Sequence, residues 1–125
     1  MSVLEDARAH LAKAKEFLEA AELSLDAALF NAATSDAVVS AINSKDAICL
    51  KLTGQSMKLD DHNAAPAELR RAGKAGAGLE ATFKRLLNLR ARSQYQVLSV
   101  QRRHAKDAVA WAERMYDGAR SVLDS

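Results

Sequence analysis

The sequence predicts an all-α protein, an antiparallel up-and-down bundle of four to five helices. Two compositional facts point there: 26 of the 125 residues are alanine, the best helix former, and the chain carries one Pro and five Gly. A third observation is periodicity. Apolar residues recur at alternating steps of three and four near both ends of the chain, as narrow stripes suited to packing along antiparallel neighbours. The length suits one domain over residues 1–125, and a composition of 49% hydrophobic and 27% charged residues argues against disorder.

The first helix is expected over Val3–Leu29, with Leu4, Ala7, Leu11, Ala14, Leu18, Ala21, Leu25 and Ala28 as its stripe. Asn31 offers an N-cap for a second helix that reaches Thr53, where Gly54 supplies the stop. That helix is apolar on more of its circumference, through Val38, Val39, Ala41, Ile42, Ile48, Cys49 and Leu52, and should sit centrally. Residues 54–65 form the longest loop. Pro66 suits the first turn of a short helix, Pro66–Ala72, ended by Gly73. A hinge at Gly73–Gly78 precedes a helix from about Leu79 to Arg90 or slightly beyond, with Leu79, Phe83, Leu86 and Leu87 inward and Arg90 as the next inward position. The stretch Arg92–Gln96 breaks the period. Ser99 is the expected N-cap of a last helix, Val100 to about Leu123, whose row is Ala105, Ala108, Ala112, Met115, Ala119 and Val122. The first and last helices share the same narrow small-residue stripe and are read as packing partners.

The lone Cys49 excludes an intrachain disulfide and reads as a small buried hydrophobe. The His and Cys spacings form no metal site, and no cofactor motif is present. The acidic Glu5 and Asp6 at the start, with no long apolar run after them, argue against a signal peptide and a membrane span, so a cytoplasmic location is expected. The net charge of +2 hides a skew: residues 1–65 hold six Lys/Arg against ten Asp/Glu, and residues 66–125 hold twelve against six. A basic half of this kind suits a polyanion such as RNA, and equally a set of solvated helix faces.

Three polar features stand out as candidate sites. Arg90, Arg92 and Tyr95 cluster near a helix end, where guanidinium groups could grip phosphate while the phenol ring meets a base. Lys45 and Asp46 interrupt the apolar rows of the second helix, and charges there must be paired or used. His62 and Asn63 lie in the long loop. His10 and His104 read as packing or surface residues.

Four stretches together resemble the HEPN domains (higher-eukaryote and prokaryote nucleotide-binding), small helical bundles. They are Ala14–Ala21, the small-residue run Ser35–Ala47 closed by Gly54, Asp61-His62-Asn63, and Leu86–Tyr95 followed by Ala105–Ala112 with Trp111. The resemblance implies a bundle that forms a two-fold homodimer with a cleft at the dimer face. It also implies metal-independent ribonuclease activity where an Arg is followed, after four to six residues, by a His. Here Arg90 is followed by Tyr95 and no Arg has a His at that spacing, which leaves the expected attack by a ribose 2′-hydroxyl without its general base. The first expectation is therefore a dimer that binds RNA or a nucleotide and is non-catalytic or weakly active. The alternatives are a bundle that docks a cognate protein partner, as a toxin–antitoxin component does, and a ribonuclease toxin with a divergent site.

Overall fold

A computed structural model describes residues 2–57, 64–95 and 100–125, with the backbone alone for 92–95. Among the described residues six helices follow in order: α1 (Val3–Asp26), α2 (Phe30–Thr53), α3 (Ala64–Arg71), α4 (Lys74–Ala77), α5 (Glu80–Tyr95) and α6 (Arg102–Asp124). There is no strand among the described residues, and no described helix is long and apolar enough to cross a membrane.

The sequence explains the boundaries of the first two helices. Ser2 caps α1 by accepting from the Glu5 amide at 3.1 Å, while its own hydroxyl meets the Glu5 carboxylate at 3.0 Å. The helix stops at Asp26, three residues short of the expected Leu29, because the chain must reverse into α2. It does so in three residues, with Ala28 at a φ of 60° and the Leu29 amide bonded back to the Ser24 carbonyl. Asn31 is not the cap of α2. Its side chain accepts instead from the Val100 amide at 3.1 Å and ties the start of α2 to the start of α6. Gly54 ends α2 in the left-handed conformation, φ 78°, as a residue without a Cβ can at no cost.

Two expectations about the middle of the chain change. The Gly73–Gly78 hinge contains a single helical turn, α4. Helix α5 runs on through Arg92–Tyr95, where a break was expected, since those residues contain neither Gly nor Pro and the backbone has no local reason to stop. At the start of α6 the flanking residue is Gln101, and Ser99 lies outside the described residues.

The four long helices alternate in direction. His10 faces Asn43 and Ala14 faces Ser40, so α1 and α2 are antiparallel. Asn31 and Phe30 meet Val100 and Arg102, so α2 and α6 start at the same end. Leu79 lies against Gly118, so α5 runs against α6. The hub is α2: α1 lies along one side of it and α6 along another, with a smaller contact between α1 and α6. The expected pairing of the two outer stripes is thus secondary. Both stripes point at α2, which presents small buried residues to each (Ala33, Ala37, Ser40, Ala41, Ser44 and Ala47). Alanine faces let helix axes approach to the short end of the usual 8–10 Å range. Ser40 exploits that approach by donating to the Ala14 carbonyl at 2.7 Å. Larger side chains (Ile48, Leu69, Phe83, Leu86 and Met115) fill the space where α3, α5 and α6 close the bundle. The α1 stripe is buried at Ala7, Ala14, Leu18 and Ala21, whereas Leu4 is 40% exposed because neighbouring helices do not reach it.

Candidate functional site

Helix α2 carries two adjacent charges into the interior. Lys45 is 2% exposed and Asp46 4%. Both interrupt apolar rows, so the helix cannot turn them outward without exposing its core. They are satisfied instead by the residues that follow α2 and by α3. The Lys45 ammonium donates to Asp46 Oδ1 at 3.2 Å, Ser56 Oγ at 3.1 Å and the Met57 carbonyl at 3.0 Å, and pairs with Glu68 Oε1. Ser56 Oγ in turn donates to Asp46 Oδ1 at 2.6 Å, and the Met57 amide donates to Glu68 Oε2 at 2.9 Å. An ammonium has three protons, and here they have more than three acceptors. Lys45 is therefore saturated from within, and its charge serves to hold Ser56 and Met57 against α2.

On the α1 side, His10 Nδ1 lies 2.8 Å from Asn43 Oδ1 and 3.8 Å from Asp46 Oδ2, with the ring partly exposed. Asn43 completes its own bonding by donating to the Val39 carbonyl at 2.9 Å. Cys49, one turn beyond Lys45, is fully buried. Burial pushes its thiol up from the ordinary 9.0 to about 12; Lys45 opposes the shift, while the charge and hydrogen bond of Glu68 and the charge of Asp46 add to it. Cys49 therefore stays protonated at neutral pH and is no nucleophile.

The second candidate region is the far end of α5. Phe83, Leu86, Leu87 and Leu89 are buried, and Arg90 is half-buried at the end of that apolar row. Position 92 and Tyr95 follow in the last turn of the same helix. Lys84 and Arg85 stand exposed on the opposite face. At the start of α6, Arg102 lies over the Phe30 ring, 5.0 Å from its centroid. The face formed by α1 and α6 is acidic: burial, with Glu113, Glu19 and Asp26 nearby, raises the Glu22 carboxyl above its ordinary range.

The structure thus joins Lys45 to Asp46 and places Arg90 on α5 at the end of its apolar row. His62 and Asn63 lie outside the described residues, as do the side chains of Arg92 and Tyr95. Sequence reasoning missed four polar residues that complete the buried network: His10, Asn43, Ser56 and Glu68. His10 left a signal, since it stands three residues after Ala7 and four before Ala14 and so faces α2. Ser56 and Glu68 left none, because a loop and a separate helix bring them to Lys45. Among the described residues no three His, Cys, Asp or Glu side chains come together as a metal would require.

A family model described as "HEPN domain" matches residues 7–122. No curated protein matches the chain.

Proposed function

The chain belongs to the HEPN domain family, and from that premise we propose that it is a homodimer that binds RNA or a nucleotide and does not cleave it efficiently. One observation carries the reading: Arg90 is half-buried at the end of the apolar row of α5. A guanidinium held partly out of water pairs with phosphate more strongly than a fully solvated one, and its planar fork fits two phosphate oxygens. Arg92 adds a second cation and Tyr95 meets base or ribose. Lys45 and Asp46 act from beneath, by fixing Ser56 and Met57 at the start of the segment that carries His62 and Asn63. Catalysis is weak in this reading because Tyr95 stands where the family's ribonucleases use a His, and a phenol of ordinary pKa near 10 is a poor base at neutral pH.

The test is binding of a labelled single-stranded RNA at low salt, with the mass of the protein taken by light scattering. A dimer should bind, and Arg90→Ala should weaken binding by roughly ten- to a hundredfold, the range expected for a lost hydrogen-bonded charge contact of about 1.5–3 kcal/mol. A wild-type protein that binds neither RNA nor a nucleotide such as ATP at low salt rules the proposal out. Docking of a protein partner is the second reading, for which the start of α1 offers the adjacent Val3 and Leu4, 45% and 40% exposed. Co-purification of a neighbouring gene product, lost on Leu4→Glu, would favour it.

A further inference from the structure

We draw no further inference here: the strongest candidate, the side of the α1–α2 pair where Phe17, Asp36 and Val39 are partly exposed, is an unpartnered helix face, and nothing in the structure shows what covers it.

Discussion

Helices α2 and α5 each carry charged residues beside an apolar row, and they dispose of them in opposite ways. On α2, Lys45 and Asp46 point into the protein and are enclosed by Ser56, Met57 and Glu68. On α5, Lys84 and Arg85 point out, and no described ion pair meets them. A buried charge has lost its hydration and must be answered by neighbours, so it ends up as architecture. An exposed, unanswered charge contributes little to folding and keeps its attraction for a ligand. Charge alone therefore does not mark a binding residue in this protein; which side of the helix it leaves from does.

Four variants test this contrast, in falling order of effect. Lys45→Met should destabilise the protein by about 3–5 kcal/mol in urea unfolding, because Asp46 and Glu68 would remain buried without their shared cation. Adding Glu68→Met should recover part of that loss; a loss below about 1 kcal/mol in the single variant would mean that the cluster behaves as a surface pair. Ser56→Ala removes one donor to Asp46 and one acceptor for Lys45 and should cost about 2 kcal/mol. If its unfolding midpoint matches wild type, the segment after α2 is not held by the buried charges. Lys84→Gln/Arg85→Gln should change stability by no more than about 0.5 kcal/mol. A larger destabilisation would show that the outer face of α5 has a structural duty, and the contrast with α2 would fail.

The helices were legible because alanine is abundant and breakers are scarce, and because the stripes on the first and last helices are regular over many turns. Their pairing was less legible. Two matching stripes can face each other or a common third element, and periodicity does not choose between them; here the doubly small-faced α2 drew both. Leu4 kept the period of its helix but not its burial, since burial depends on where the neighbours end. The last turns of α5 were misjudged for a related reason: Arg92–Tyr95 interrupts the apolar row, yet holds neither Gly nor Pro and the helix continues through it. For the candidate site, Lys45 and Asp46 could be picked out as charges in apolar positions, and Arg90 as an inward arginine. What answers Lys45 could not be foreseen, because Glu68 comes from a helix 23 positions later in the chain.

One contact gives α5 a property that its own residues do not have. The Leu79 side chain, at the threshold of α5, rests on Gly118 of α6, so closely that a methyl group added there would come within 2.5 Å of Leu79 Cδ1. The missing side chain on α6 is thus the seat on which α5 is mounted. The angle at which α5 leaves the bundle can be adjusted from this seat without changing a single charge. Presentation of the basic helix and its composition can therefore vary independently, one set by a position on α6 and the other by the outward residues of α5.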